Sequence, residues 1–494
     1  MKQIIVLFAA VNLSAAPVLV SGVDISKWRG FNLTEQYTAG KEKPFLESDL
    51  KLMSELGFNF VRLPVDYRIY DDVNAPRSYK EDKLTLIDEA VAFGEKYKIH
   101  VCINLHKAPG YCINPTKGLN DELWTNTVTQ EYFIDYWVMF AKRYRHLSAE
   151  RVSFNLLNEP ARTTPEQFLP LMQRVVKAIH DVDPKRIIVM DAFNVGAVPM
   201  AELYQMPGVV TAIRGYAPGV LTHYKAEWSK GSDKYPVPGW PVSCRIGAFL
   251  YPPEKTDVPN GPAVIRGKFP AGTKVAINVA QVSMKAHLTI KADEAIIFDT
   301  ILEPKDGPGD WKEVIYKKEY DRYQNRYDKE YFAEVKKDAA VLTFNNAEGD
   351  WLKMNGIRLS FPDGRSLSIA AEPAWGKKHE AYRIDEGAFT YDGFDGEYPV
   401  KNFLAPWKTA IANGAKIFVG EMGAYKYTPH DVTLRWMETC HREYKSMNIG
   451  WAYWSFRDSF GPINSGRKDV QYEEKDGLKI DRKMLDVMLR YLRY

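Results

Sequence analysis

Short apolar segments alternate with amphipathic helical segments along most of this chain, and this alternation restricts its fold more than any other feature. Eight segments have the largely apolar pattern of strands that are buried on both faces: 29–33, 58–65, 100–106, the first residues of 153–162, 186–191, 209–216, 416–421 and 449–456. Helical patterns follow several of them, for example at 46–56, 84–97 and 131–145. Eight buried strands that alternate with helices predict an α/β fold, a closed (β/α)8 TIM barrel.

The alternation is interrupted once, between about 236 and 395. Short segments in this region alternate apolar and polar residues, and a Pro-Asp-Gly turn in 357–369 predicts a β-hairpin. The pattern predicts an all-β sandwich or jelly roll at 240–390, inserted into the barrel formed by 23–239 and 391–494. The insertion follows strand six, so it grows from a βα loop, and βα loops lie on the catalytic face of such barrels.

A row of tyrosines in the insertion has helical spacing. Its members follow one another at intervals of four, three, four and four residues: Tyr316, Tyr320, Tyr323, Tyr327 and Tyr331. On a helix these side chains share one face. Because periodic apolar rows usually pack into a core, we expect the packed face of a helix in preference to a sugar-binding platform.

Charge and targeting signals narrow the protein class. The formal net charge of +3 arises from 66 basic and 63 acidic residues, so no nucleic-acid partner is expected. Segment 1–22 contains Lys2, an apolar run from Ile4 to Val11 and then small residues, which indicates a secretory signal and a secreted or periplasmic protein. No other segment is apolar enough to span a bilayer, and we expect a monomer without membrane association.

Polar residues occur where the predicted strands end. They are Arg62 on strand two, His106 on strand three, Asn158 and Glu159 after strand four, Arg214 and Tyr216 on strand six, Glu421 on strand seven and Trp454 on strand eight. A lone Glu at a strand end is explained as well by a helix cap or a salt bridge. Because the carboxyl ends of all barrel strands meet on one rim, their convergence favours an active site.

Two carboxylates that face each other across a barrel mouth can perform acid–base chemistry on a glycosidic bond. The cysteines have no metal-ligand spacing, and Cys102, four residues before His106 on a strand, is expected inside the core. No histidine–carboxylate motif and no glycine-rich phosphate loop occurs in the sequence, so we predict no metal and no cofactor.

Seven motifs occur in the order found in one enzyme family: RGFNL, GFNFVRLPV, INLHKAPG, NLLNEP, GYAPGVLTHYKAEW, IFVGEMGAY and WAYWSF. Over 24–235 and 396–494 the chain resembles glycoside hydrolase family five, a retaining family that includes endoglucanases and mannanases. The resemblance implies that Glu159 is the general acid/base and Glu421 the nucleophile. It also implies that Asn158 binds the sugar 2-hydroxyl, that Arg62 and Tyr216 hold the nucleophile, and that His106 and Trp454 line the subsite of the cleaved sugar. The insertion resembles a carbohydrate-binding jelly roll.

One residue departs from the family pattern. The family usually has His-x-Tyr at the end of strand six, whereas this chain has Arg214-Gly215-Tyr216. A guanidinium within about 4–6 Å of Glu159 would lower the pKa of that carboxyl and move the alkaline limb of activity to lower pH. The alternative is that Arg214 turns aside and pairs with a carboxylate of the barrel or the insertion.

The sequence therefore predicts a retaining β-glycosidase that hydrolyses β-1,4-linked glucan polysaccharides or oligosaccharides. A mannan-type or other β-glycan substrate is the alternative within the family. From a different class, the chain could be a non-catalytic carbohydrate-binding barrel, but a binding protein does not require two opposed carboxylates.

Overall fold

The computed structural model describes residues 18–114, 119 and 121–492. Most of the predicted signal segment therefore lies outside the described residues. Residues 18–22 are described: the strand Leu19–Val20 pairs with Val23–Asp24, and Val20 is buried in the core of the barrel. The folded unit thus includes residues that the sequence analysis assigned to the segment before the barrel.

Eight parallel strands form a closed barrel, which confirms the predicted fold class. They are β1 (Arg29–Asn32), β2 (Phe60–Asp66), β3 (His100–Ala108), β4 (Val152–Asn155), β5 (Ile187–Asp191), β6 (Val209–Gly215), β7 (Ile417–Met422) and β8 (Gly450–Tyr453). Each strand pairs with the next, and β8 pairs with β1, which closes the barrel.

Helices follow the strands as the alternation predicts. They are α1 (Glu47–Leu56), α2 (Glu81–Tyr97), α3 (Thr127–Tyr144), α4 (Pro165–Val182), α5 (Ala201–Tyr204), α6 (Tyr398–Ala412), α7 (His430–Met447) and α8 (Arg482–Arg490). Helix α4 begins with a capping box, in which the Thr164 N–H donates to Gln167 Oε1 at 3.2 Å. None of the helices in the described ranges has the length and apolar character needed to cross a membrane.

Apolar side chains from the strands fill the interior of the barrel. Phe60, Cys102, Ile187, Val210 and Phe418 come from five different strands and belong to one buried cluster. The side chain of Cys102 is 1% exposed, which confirms its predicted place in the core. This packing fixes the strand ends, and with them the polar residues of the upper rim.

The chain divides into two compact units, of which the second is Gly239–Tyr398 and the first contains the remaining residues. The second unit lies in the chain between β6 and α6. It consists of two six-stranded, mainly antiparallel sheets around a hydrophobic core of its own. The unit continues past residue 390 because Tyr391 and Phe394 pack against that core.

The strands of the insertion agree with the alternating pattern. The first sheet contains Ile246–Gly247, Phe249–Leu250, Lys274–Val282, Arg326–Glu334, Leu352–Ser360 and Ser366–Glu372, and the second contains Ala263–Phe269, Ala286–Ala292, Ala295–Leu302, Ala339–Gly349, Tyr382–Asp385 and Ala388–Thr390. Leu352–Ser360 and Ser366–Glu372 pair antiparallel across the Pro-Asp-Gly turn, which confirms the hairpin.

The prediction that the tyrosine row lies on a helix is wrong, because the row is distributed over strands and a 3-10 turn. Tyr316 and Tyr323 lie on paired two-residue strands, Tyr320 ends a 3-10 turn, and Tyr327 and Tyr331 belong to the strand Arg326–Glu334. Tyr327 and Tyr331 are four residues apart and therefore face the same side of a strand as they would on a helix. Both pack into the core of the insertion, whereas Tyr316 and Tyr320 are exposed.

Candidate active site

Seven of the eight predicted site residues lie in the carboxyl-terminal half of a barrel strand or just after it, and Arg62 is the third of the seven residues of β2. Asn158 and Glu159 follow β4, Tyr216 follows β6, and Trp454 follows β8, whereas the other four lie within their strands. A cavity of about 500 Å³ lies at this end of the barrel. Five of the eight line it: His106, Glu159, Tyr216, Glu421 and Trp454. Arg62 and Arg214 are buried and donate to Glu421 and Glu159, and the buried Asn158 accepts from both guanidinium groups.

Glu421 is held by donors on both carboxylate oxygens. Arg62 Nη1 donates to its Oε1 at 2.7 Å, and the hydroxyl of Tyr216 donates to its Oε2 at 3.1 Å. Arg214 Nη2 lies 3.2 Å from the same Oε1. Both oxygens of the buried Glu421 carboxylate thus face cationic or hydroxyl donors, which fix its position.

The backbone at Glu159 takes an unusual conformation. Its φ of +47° lies in the left-handed region, which is uncommon for a residue with a Cβ and costs of order 1 kcal/mol. Its N–H donates to Asp191 Oδ2 at 2.7 Å, and its carbonyl oxygen accepts from the Tyr111 hydroxyl at 2.6 Å. These two bonds hold the turn that directs the Glu159 carboxyl into the cavity.

The electrostatic environment of Glu159 differs from that of an exposed carboxyl. Burial raises the pKa of Glu159 from its usual value near 4.5 to about 7. Arg214 opposes this rise, while the negative charges of Glu421 and Asp191 add to it. Glu159 therefore retains its proton up to nearly neutral pH, as a general acid must.

Arg214 combines the two orientations that the sequence left open. Its Nε donates to Glu159 Oε1 at 2.9 Å, so the guanidinium does face the site. Its Nη2 donates to Asn158 Oδ1 at 2.8 Å and also makes a short contact with Asp191, a carboxylate of the barrel. The expected lowering effect of Arg214 on the pKa of Glu159 is present, but burial outweighs it.

Asn158 presents a hydrogen-bond donor without a partner. Its Oδ1 accepts from both Arg62, at 2.9 Å, and Arg214, at 2.8 Å. Two donors at this atom identify it as the oxygen of the amide. Its buried Nδ2 has no hydrogen-bond partner among the described residues. The amide is thus fixed by two guanidinium groups with its N–H groups still available to a hydroxyl.

Aromatic rings form one wall of the cavity. The ring of His106 lies 5.3 Å from that of Trp454 and 4.7 Å from that of Tyr37, between centroids. Burial, together with the nearby positive charges of Arg62 and Arg214, lowers the pKa of His106, so its ring is neutral. Such a wall offers flat apolar surface to the C–H face of a pyranose.

A second aromatic group lines another part of the cavity. Trp228, half exposed, packs its ring against Tyr425 at 4.7 Å and Phe460 at 5.9 Å, and His223 lies beside it. Trp228, His223 and Phe460 all line the cavity. This group supports an exposed ring at the cavity rim, where a further sugar unit could stack.

Sequence reasoning missed several residues of the site. They are Asn32, Tyr37, Tyr111, Asn155, Asp191, His223, Trp228 and Phe460. Asp191 could have been found, because it is a carboxylate that ends the predicted strand 186–191. Tyr37 and Phe460 lie in loops, where no periodicity indicates which way a side chain points. No group of three or more His, Cys, Asp or Glu side chains suited to a metal ion occurs in the described ranges.

Comparisons with known proteins found similar sequences and similar structures. Residues 13–235 match the family model described as cellulase (glycosyl hydrolase family 5). Endoglucanase C of Acetivibrio thermocellus is 30% identical over 224 residues, which are 44% of this chain and 62% of that protein. Cellodextrinase A of Ruminococcus flavefaciens is 29% identical over 222 residues, which are 43% of this chain and 62% of that protein. The matches thus span less than two thirds of these relatives.

Solved structures cover nearly the whole chain. A crystal structure described as that of a glycoside hydrolase is 25% identical, covers 94% of this chain and 98% of its own, and has a TM-score of 0.60. Thermotoga maritima Cel5A, in a complex with mannotriose, is 16% identical, covers 94% of this chain and 98% of its own, and has a TM-score of 0.54. At that identity the second match concerns the fold alone.

Proposed function

We propose that the protein is a retaining β-glycosidase acting on β-1,4-linked glucan, because residues 13–235 match the family model of the glycosyl hydrolase family 5 cellulases. The observation that carries the proposal is the pair Glu159 and Glu421, both in contact with the guanidinium of Arg214 at one cavity. Glu159 retains a proton, while Glu421 is held by cationic and hydroxyl donors. Double displacement requires an acid that holds its proton and, facing it, a carboxylate that can attack.

In the first step, a Glu421 oxygen attacks the anomeric carbon. The bond from that carbon to the leaving oxygen breaks, and the proton of Glu159 passes to this oxygen. In the second step, Glu159, now ionised, takes a proton from water, whose oxygen displaces Glu421 from the anomeric carbon. Both carboxyl groups then return to their starting states, and the configuration at the anomeric carbon is retained.

Asn158, His106 and Trp454 are proposed to bind the sugar whose bond is cleaved. The free N–H groups of Asn158 can donate to the 2-hydroxyl, and the neutral ring of His106 can donate to or accept from another hydroxyl. Trp454 supplies an apolar face. Arg62 and Tyr216 keep the nucleophile in place.

A reducing-sugar assay on a panel of polysaccharides tests the substrate. The panel contains carboxymethylcellulose, mixed-linkage β-glucan, glucomannan, mannan and xylan. Because two of the similar proteins are an endoglucanase and a cellodextrinase, we expect β-1,4-glucan to be the best substrate of this protein. Activity on mannan alone would reject glucan specificity but keep the enzyme class. Binding without release of reducing ends on any polymer would favour the carbohydrate-binding barrel instead.

Removing the Trp228 ring is expected to raise KM for cellopentaose roughly tenfold, with little change in kcat. An exposed ring that covers a sugar face contributes about 1–1.5 kcal/mol of binding. The matched control is Trp375→Ala, which removes another half-exposed tryptophan from the insertion and should leave this KM unchanged. Equal KM values for Trp228→Ala and the wild type would show that no sugar stacks there.

The insertion is proposed to be an accessory module that binds polysaccharide. It has its own core, and its chain ends are adjacent, since the Val242 N–H donates to the Gly396 carbonyl at 2.9 Å. A short glycine–serine linker can therefore replace 240–396. We expect the shortened protein to fold, to retain its turnover of aryl β-cellobiosides and to act more weakly on polymeric glucan. Equal loss on both substrates would contradict the accessory role.

Export of the protein is also proposed, because a polymeric glucan substrate lies outside the cell and the segment before residue 18 has the composition of a secretory signal. Amino-terminal sequencing of protein recovered from the medium or periplasm tests this. A mature protein that still begins at Met1 within the cytoplasm would contradict it.

A further inference from the structure

Asp191, the last residue of β5, is buried beneath the candidate site and does not line the cavity. Both of its oxygens already have donors. Oδ1 accepts from Asn155 Nδ2 at 3.1 Å, and Oδ2 accepts from the Glu159 amide at 2.7 Å and from Arg214 Nη2. Asp191 cannot therefore reach a substrate, so any effect that it has on the reaction must pass through these neighbours.

The charges around Glu159 balance in only one of its two protonation states. Arg62 and Arg214 contribute two positive charges, and Asp191 and Glu421 contribute two negative charges. The buried cluster is thus neutral when Glu159 carries its proton. Without the charge of Asp191, the cluster would be neutral only with Glu159 ionised, and burial favours the neutral arrangement.

The remaining titratable groups near Glu159 do not alter this balance at neutral pH. They are Tyr37, His106, Tyr111, Tyr216 and His223. Burial raises the pKa of each of the three tyrosines above its usual value, so they stay protonated. Burial lowers the pKa of His106 and that of His223, so both rings are uncharged.

Asp191 also holds the backbone of Glu159. The Glu159 N–H points at Asp191 while φ of Glu159 is +47°, a value that persists only where the surroundings enforce it. The same carboxylate thus anchors both the turn that carries Glu159 and the guanidinium that touches its side chain.

We propose, on the basis of the roles inferred above for Glu159 and Glu421, that Asp191 is a positioning residue that keeps Glu159 competent as the general acid by neutralising Arg214 and fixing the Glu159 amide. Arg214 carries a permanent charge beside Glu159, and Asp191 is the carboxylate that makes this charge compatible with an acid at that place.

The alkaline limb of kcat/KM tests this inference, because it reports the pKa of the acid in the free enzyme. For Asp191→Asn we expect the limb to move to lower pH by roughly one unit or more. For Arg214→Gln we expect it to move upward, since the remaining charges then favour protonated Glu159. For the double variant Asp191→Asn/Arg214→Gln we expect a limb close to that of the wild type.

The control removes another buried carboxylate from the same barrel. Asp183 accepts from Arg186 Nε at 2.9 Å and is not among the residues that line the cavity. Asp183→Asn should leave the alkaline limb in place even if it lowers thermal stability. Such a result separates the charge of Asp191 from a general effect of removing a buried ion pair.

Two results would overturn the inference. One is a folded Asp191→Asn protein whose alkaline limb coincides with that of the wild type. The other is a double variant whose alkaline limb is shifted from that of the wild type as far as the limb of Asp191→Asn. Asp191 would then act independently of Arg214. If Asp191→Asn does not fold, the Arg214→Gln variant provides the test. An alkaline limb in that variant that stays in place or moves to lower pH overturns the inference equally.

Failure of the proposed function is recognised separately. The titration of the Glu159 carboxyl carbon, assigned by the loss of its NMR signal in Glu159→Gln, measures the same displacements without turnover. A wild type that cleaves no glycoside would reject the function, whereas an unmoved Glu159 titration in Asp191→Asn would reject the role of Asp191.

Discussion

Glu421→Gln is expected to lower kcat by several orders of magnitude on every substrate that the wild type cleaves. The amide oxygen of glutamine is a far weaker nucleophile than a carboxylate, so no glycosyl-enzyme forms. The shape of the side chain is kept, and its oxygen can still accept from Arg62. We therefore expect the variant to fold, which thermal melting and circular dichroism check beside the steady-state rates.

A matched Glu→Gln control is available on the barrel surface. Glu473 is exposed and pairs with Arg482 at 2.7 Å, so Glu473→Gln should keep the wild-type kcat. In a Glu421→Ala variant, added azide should restore cleavage of activated aryl glycosides and give the α-glycosyl azide. Wild-type turnover in Glu421→Gln would end the assignment of Glu421 as the nucleophile.

Glu159→Gln should lower kcat on polymeric glucan by about 10²–10⁴-fold, the usual contribution of a general acid. The loss arises because the sugar leaving group cannot depart without a proton. A 2,4-dinitrophenyl glycoside needs no such proton, so its first step should be nearly unaffected, and pre-steady-state release of dinitrophenolate measures that step.

The second step of the same variant should still be slow, because water has lost its base. For Glu159→Gln we therefore expect a burst of dinitrophenolate followed by slow turnover. For Glu159→Ala we expect added azide to accelerate the slow phase and to form the β-glycosyl azide. Equal loss in the first step for both kinds of leaving group would show that Glu159 does not donate the proton.

The positions of the strands could be predicted because each strand lies in a largely apolar segment between more polar segments. Residues 100–106, for example, form the first part of β3, and Cys102 lies in the core as expected. The tyrosine row shows where periodicity fails. A spacing of four residues places side chains on one face of a helix and also on one face of a strand. The spacing of Tyr327 and Tyr331 therefore could not show whether the segment is a helix or a strand.

Site residues whose position depends on a single strand could be predicted from the sequence. Glu159 and Glu421 lie at strand ends that the alternation located, whereas Arg62 lies within β2. The partners of Arg214 could not be derived, because they depend on how Asp191 of β5 is set beside β6. Trp228 lies in a loop whose course depends on packing against Tyr425 and Phe460, far away in the sequence.

Mechanism-based labelling tests the central claim most directly. The protein is incubated with 2,4-dinitrophenyl 2-deoxy-2-fluoro-β-cellobioside, whose fluorine slows the second step more than the first, and is then digested and analysed by mass spectrometry. A retaining mechanism with Glu421 as nucleophile predicts one fluorocellobiosyl group per protein, attached to the peptide that contains Glu421. A label on another carboxylate, or no label while the parent glycoside is turned over, would contradict it.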